Sequence, residues 1–240
     1  MIDLTSSEKI ESLNIKDYKI IQSDDLYKFT SDPVLLSRFA RAGATKVCDL
    51  CAGSGIVSLH YYALNDLTVK KVVAVEIQKE LAQMNEKSVR INGLQDVFTV
   101  INAPLQDYKT DEKFDLVLCN PPYEKRGAGL PPKSEHLAVC RTEKCVTLDE
   151  IVAAASGLLD KNGYFCVCHK VSRLPEVFSA FERHSLCPSR LQLVSGRSGK
   201  AYLALIEGVK GKKVEIEAYS TVINDFIDFS GARSAPKKTI

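Results

Sequence analysis

No stretch of this 240-residue chain approaches the about 20 consecutive apolar residues that a bilayer span needs. The opening residues, Met1-Ile2-Asp3-Leu4-Thr5-Ser6-Ser7-Glu8-Lys9, carry early acids and no apolar segment of signal-peptide length. A cytoplasmic protein with no membrane partner is therefore expected. Charge of one sign is not in excess either: the formal net charge is +2, so composition permits an anionic partner without requiring one. Internal repeats and low-complexity tracts are missing, which excludes solenoid and fibrous folds. Histidine is scarce, with 4 residues, and none stands at ligand distance from the Cys48-x-x-Cys51 pair. That pair straddles a strand end, and Cys140 and Cys145 do not repeat its spacing, so no metal is expected.

The chain is 45% hydrophobic and 26% charged, which suits one sizeable core. Most of its 8 cysteines lie inside apolar runs, such as Cys166-Val167-Cys168, where a thiol behaves as a small buried hydrophobe of a reducing compartment. The expected organisation is an N-terminal arm or small hairpin over 1–25, one α/β domain over 26–210, and a partly mobile extension over 211–240. A monomer is expected.

The stretch richest in chemistry is Cys119-Asn120-Pro121-Pro122-Tyr123, at the end of the apolar run Phe114-Asp115-Leu116-Val117-Leu118. The prolines hold the chain extended. The amide oxygen of Asn120 and the Pro121 carbonyl can accept from an exocyclic amine, while Tyr123 stacks on a flat ring. A plain loop stop uses the same residue types, so the rest of the chain has to decide.

Lys46-Val47-Cys48-Asp49-Leu50 reads as a strand leading into Cys51-Ala52-Gly53-Ser54-Gly55, after which Ile56 to Leu64 has a helical pattern. Strand, glycine turn and helix open a Rossmann-like unit. The next strand, Val69 to Val75, ends in Glu76, where a carboxylate can accept both hydroxyls of a ribose. The pattern from Asp49 to Gly55 favours methyltransferases that use S-adenosylmethionine over dehydrogenases, whose turn more often reads Gly-x-Gly-x-x-Gly.

The remaining pattern predicts a helix capped by Ser31 or Asp32 with Pro33 in its first turn, a helix over 77–92 ended by Gly93, and a strand over 97–101. It continues with a strand over 114–119, a helix over 147–160 opened by a Thr147–Glu150 capping box, a strand over 164–169 and a helix over 173–181. A strand pair, 190–194 and 201–206, closes the series. The expected fold is the Rossmann-like class I methyltransferase fold, α/β, with a seven-stranded mostly parallel sheet and helices on both faces. Asp49, Glu76, Asn102 and Asn120 would converge on the rim at the carboxyl ends of the strands.

Residues 124–146 form a long connection after the Asn-Pro-Pro-Tyr stretch, with Arg126, Lys133, His136 and Arg141, and read either as a substrate cover or as a solvated loop. His136 is the one histidine placed for a substrate contact, since His60 and His184 fall in helical patterns and His169 at a strand end. From Arg197 to Lys213 the chain has Arg197, Lys200, Lys210, Lys212 and Lys213 against Glu207 alone, the clearest basic region. Arg126, Lys133, Arg141, Arg197 and Lys200 are the candidates for phosphates.

Four stretches in this order carry a resemblance. They are Phe29-Thr30-Ser31-Asp32-Pro33-Val34-Leu35-Leu36, Asp49 to Gly55, Asn120 to Tyr123, and Leu137-Ala138-Val139-Cys140-Arg141-Thr142-Glu143. Together they resemble the bacterial tRNA adenine-N6-methyltransferases that modify valine tRNA, over roughly residues 20–210. In that family the last stretch is Ala-Arg-His-Glu-like, so Arg141 and Glu143 match while Thr142 replaces His. The resemblance implies methyl transfer from S-adenosylmethionine to the N6 of adenosine 37, beside the anticodon. It further implies that Phe29 and Thr30 border the methionine end of the cofactor, that Asp49, Ala52, Gly53 and Gly55 line it, and that Glu76 binds its ribose. Relatives often carry an acid after the third strand; here Ala103-Pro104 stands there, with Asn102 the nearest polar candidate. Asn120, Pro121 and Tyr123 would hold the adenine, and Asn120 would also face the cofactor.

Two other readings stay open. Asn-Pro-Pro-Tyr also occurs in enzymes that methylate a glutamine of release factors, although only about 25 residues precede Phe29 where those enzymes usually have a helical domain. The other is a non-catalytic, cofactor-binding RNA-binding protein.

Overall fold

The computed structural model describes residues 2–26, 30–125, 139, 143, 145–196 and 199–223, with the side chains of 220–223 left aside. In chain order the elements are β1 (Glu8–Ser12), β2 (Lys19–Ser23), α1 (Ser31–Phe39), β3 (Lys46–Leu50), α2 (Ile56–Asn65), β4 (Lys71–Glu76), α3 (Lys79–Ile91), β5 (Phe98–Asn102) and β6 (Phe114–Cys119). They continue as α4 (Leu148–Leu158), β7 (Leu159–Lys170), a single 3-10 turn, α5 (Leu174–Arg183), β8 (Leu186–Ser195), β9 (Ala201–Lys210) and β10 (Glu217–Ile223). Eight strands form one sheet in the order β10-β8-β9-β7-β6-β3-β4-β5.

β3 and β6 lie at the centre, each paired in parallel on both sides. Strands buried on both faces read as near-continuous apolar runs, and Val47-Cys48-Asp49-Leu50 is buried throughout. Alternate residues point to opposite faces. Val47, Leu116 and Leu118 share a cluster with residues of α1, α2 and α3, whereas Cys48, Leu50, Val117 and Cys119 pack with Ile151, Val152 and Phe181 of α4 and α5. The cysteines of β3, β6 and β7 serve here as small apolar groups, and burial pushes their thiols up.

The sheet has one strand more than the seven expected. The extra strand is β10, which lies in the extension expected over 211–240 and pairs in parallel with the outer edge of β8. The side chains at 217–219 are exposed, and an exposed edge strand gives little notice in side-chain periodicity. Residues 224–240 of the extension expected to be partly mobile lie outside the described residues.

The start of the chain forms an antiparallel hairpin of β1 and β2, docked rather than free. Ile20 and Ile21 are fully buried on opposite sides of β2, Ile21 against Leu81 and Met84 of α3. Side chains of α3 and its C-terminus satisfy the outer edge of β2: Ile21 N donates to Ser88 Oγ at 2.9 Å and Lys19 N to Asn92 Oδ1 at 2.9 Å.

At the end of α1 a carboxylate is buried in a cationic clasp. Glu207 accepts from Ser189 Oγ at 2.7 Å, Arg41 Nε at 2.9 Å and Arg190 Nη2 at 2.5 Å, while Arg190 lies 4.5 Å above the Phe39 ring. Burial alone would raise this carboxyl, but hydrogen bonds from Arg190 and Ser189 and the Arg190 charge outweigh it and hold it below its usual value. Glu207→Ala strands Arg190 and is expected to cost about 3–5 kcal/mol, read as a lower midpoint in urea unfolding.

Candidate active site

The turn after β3 is built from left-handed residues. Cys51 has φ 57°, Gly53 56° and Gly55 88°, and Gly55 N closes it on Ala52 O at 2.8 Å. At Gly53 no atom lies within 4 Å of where a Cβ would sit, so this backbone stands clear. At Gly55 a Cβ would meet Asn85 Oδ1 at 2.3 Å, with α3 packed behind the turn. Gly55→Ala therefore combines backbone strain with displacement of a fully buried amide. It is expected to lower stability by about 1–3 kcal/mol, measured by thermal unfolding.

Glu76, at the end of β4, locks the turn to its neighbour. Its Oε2 accepts from Gly53 N at 2.8 Å and its Oε1 from Gln78 N at 2.8 Å. Burial raises this carboxyl, and the two backbone donors offset only part of the rise. Asp49 lies beneath the turn, fully buried, and accepts from Ser58 N at 3.1 Å in the first turn of α2. Burial pushes its carboxyl up to about 7.

At the end of β6, Asn120 Oδ1 accepts from the Tyr123 hydroxyl at 2.8 Å and from Cys168 Sγ of β7 at 3.0 Å. The same hydroxyl lies 3.0 Å from Asp32 Oδ2 on α1. Burial raises Asp32, and the bonds from Tyr123 and Ser31 offset part of this. The Tyr123 ring sits 5.4 Å from that of His169, inclined by 40°. From the N-cap of α5, Arg173 Nη1 donates to Tyr123 O at 3.3 Å and its Nη2 to Glu143 at 2.7 Å, which ties Tyr123 and Glu143 to the start of α5.

Between the two rims lies a cavity of about 590 Å3. Of the residues expected there, Thr30, Ala52, Gly53, Glu76, Asn120, Pro121 and Tyr123 line it. Asp49 and Gly55 do not: both stand behind the turn and shape it. Asn102 is not in the lining either, because its amide donates to Glu76 O at 2.9 Å and Ile77 O at 3.1 Å and so braces the turn after β4. Ala103 and Gln106 take the place beyond β5. Ser31 or Asp32 was expected to cap α1, but both lie inside the helix, its N-cap is Thr30 without a side-chain bond, and Asp32 faces the cavity.

Phe29, Arg126, Lys133, His136, Arg141 and Arg197 lie outside the described residues. Lys200 is exposed beside β9 at the same end of the sheet as Asn120. The basic region is not one patch: the ten residues of β9 carry Lys210, Lys212 and Lys213 about 30 Å away, to the opposite end, and Lys210 donates to Ser156 O and Leu159 O. Two cations at the base of the long connection are paired, Lys125 with Glu176 at 2.9 Å and Lys170 with Glu124. His60 bonds Ser37 Oγ at 2.7 Å, and His184 lies 3.1 Å from Asp149. Among the described residues, no group of three or more metal-ligating side chains occurs, and no helix is long and apolar enough to cross a membrane.

Comparison with known proteins points the same way as the geometry. A Bacteroides thetaiotaomicron protein named tRNA1(Val) (adenine(37)-N6)-methyltransferase is 27% identical over 164 residues, 68% of each chain. Among solved structures, an Agrobacterium tumefaciens protein described as a predicted O-methyltransferase superposes with TM-score 0.62 at 17% identity, over 81% of this chain and 88% of its own. The P. horikoshii protein TYW2, solved with MeSAdo, superposes at 0.61 with 14% identity, over 87% of this chain and 73% of its own. These two likenesses establish the Rossmann-like class I methyltransferase fold. The model of the methyltransferase small domain matches residues 29–183, which takes in α1, the glycine turn, Glu76 and the Asn120 rim, and the chain belongs to that family.

Proposed function

We propose that this protein transfers the methyl group of S-adenosylmethionine to the exocyclic N6 of an adenosine in tRNA, adenosine 37 of valine tRNA by analogy with its relatives. The observation that carries the reading is that Glu76 and Asn120, at the carboxyl ends of β4 and β6, share the wall of one cavity large enough for a nucleoside cofactor. The residues fit that cofactor. Gly53 leaves its backbone open, and the Glu76 carboxylate stands beside it with lone pairs to spare for hydroxyl donors. Thr30, Ala52, Gly53 and Glu76 would hold it, with Phe29 proposed at its methionine end. When bound, the cofactor supplies an electrophilic methyl group on a sulfonium.

The chain's own residues prepare the acceptor. An adenine amino nitrogen is a poor nucleophile because its lone pair is delocalised into the ring. Asn120 Oδ1 and the Pro121 carbonyl accept its two hydrogens, which favours a tetrahedral nitrogen with its lone pair directed outwards. Tyr123 lines the same cavity and holds the ring, stacking being worth about 1–3 kcal/mol per base. The rate gain comes from aligning two bound reactants, with electrostatic help as the nitrogen gains positive charge. The target base must leave its stack, which costs less in an anticodon loop than in a duplex. Lys200, with Arg126, Lys133, Arg141 and Arg197, is assigned to the surrounding phosphates.

The test is transfer of labelled methyl to total tRNA, with release factor as the competing acceptor. Labelled tRNA supports the reading. Labelled release factor, or no label in either, contradicts it.

A further inference from the structure

We infer that Asp32, in the first turn of α1, is a positioning residue for the target amine and acts through the hydroxyl of Tyr123. The inference rests on the methyltransferase reading of the Asn120 rim and adds to it a residue whose expected role was only to cap a helix.

Three groups meet at the Tyr123 hydroxyl: Asp32 Oδ2 at 3.0 Å, Asn120 Oδ1 at 2.8 Å and Cys168 Sγ at 3.3 Å. A phenol has one proton to donate. It cannot serve Asp32 and Asn120 at once, and its direction decides whether Asn120 Oδ1 is free. With Asp32 ionised, the bond to the carboxylate is charge-assisted and stronger than one to a neutral amide. The proton then points at Asp32, and Asn120 Oδ1 keeps only the weak S–H donor of Cys168 at 3.0 Å. A substrate amine can donate to that oxygen. With Asp32 protonated, its own O–H donates to the phenol oxygen, the Tyr123 proton turns to Asn120, and the acceptor is occupied before the substrate arrives.

The surroundings favour this division of labour. Asp32 lines the cavity, as do Asn120 and Tyr123. The titratable groups facing it are Tyr123 from the connection after β6 and Cys168 from β7, and burial pushes both far enough up that they stay neutral. Asp24 lines the same cavity from the end of the hairpin and is paired with Lys9. The sign follows: the ionised carboxylate is the productive form, so turnover falls as pH drops through the Asp32 pKa.

The experiment compares wild type, Asp32→Asn, Tyr123→Phe and the double variant in steady-state tRNA methylation across pH, with the dissociation constant of S-adenosylhomocysteine measured separately. Asp32→Asn is expected to lower kcat about tenfold and to remove the low-pH limb, while leaving that dissociation constant within about twofold. In the Tyr123→Phe background it is expected to cost nothing further. Losses that multiply in the double variant, or a loss confined to cofactor affinity, overturn the inference. A readout without tRNA separates it from the proposed function: the 13Cζ resonance of Tyr123, assigned by its absence in Tyr123→Phe, should titrate at low pH in wild type and not in Asp32→Asn. If that resonance ignores the substitution, the inference fails even though tRNA is methylated. If the resonance responds while tRNA is never methylated, the contact stands and the function does not.

Discussion

Asn120→Ala is expected to lower kcat for tRNA methylation by about 10²–10³, with most of the loss in turnover and little in cofactor affinity. The magnitude is that of deleting one preorganised hydrogen-bonding group aimed at developing charge, about 2.7–4 kcal/mol. Asn120 stands at the end of β6, the strand paired on both sides at the centre of the sheet, so its amide is held by a rigid element. The fold should survive the change. Tyr123 keeps Asp32 as a hydrogen-bond partner, and the Cys168 thiol is a weak donor that loses little when unpaired. A variant that melts near wild type, binds S-adenosylhomocysteine and fails to turn over is the expected phenotype. An unchanged kcat would remove Asn120 from the chemistry.

Glu76→Gln should have its largest effect on cofactor binding, raising the dissociation constant about 100-fold. Both oxygens of Glu76 accept from backbone N–H groups, Gly53 on one side and Gln78 on the other. An amide has one oxygen, so its NH2 must face one of these donors and leave it unpaired. A buried donor without a partner costs about 1–3 kcal/mol. The glycine turn loses its tie and, on the proposed function, the ribose loses a charged acceptor. The melting temperature should drop as well, by about 2–4 °C for each kcal/mol in a chain of this length. Equilibrium dialysis and thermal unfolding read the two effects separately. Wild-type affinity together with a lowered melting temperature would assign Glu76 to the scaffold alone.

Local chemistry was legible in the sequence, and contacts between distant segments were not. The Thr147–Glu150 capping box forms as read, because both partners sit within one turn of helix. The glycine turn and the Asn-Pro-Pro-Tyr rim were found by the same kind of short-range rule. Asn102 was misplaced because its partners are carbonyls of the neighbouring strand end, and Asp32 because Tyr123 lies 91 residues away. Lys200 and Lys210 stand in what read as the clearest basic region, but the extended strand between them, at about 3.3 Å per residue, sets them at opposite ends of the sheet. The arm over 1–25 was read as a small hairpin, but the groups that cover its β2 edge come from Ser88 in α3 and Asn92 at the end of α3.

On the proposed function this chain places a methyl group on N6 of an adenosine in valine tRNA. Nucleoside mass spectrometry of isoacceptors purified from cells lacking the protein tests it directly. N6-methyladenosine is expected to disappear from one valine isoacceptor, to return with the wild-type chain and not to return with Asn120→Ala. N6-methyladenosine persisting at its original level in every valine isoacceptor would contradict it.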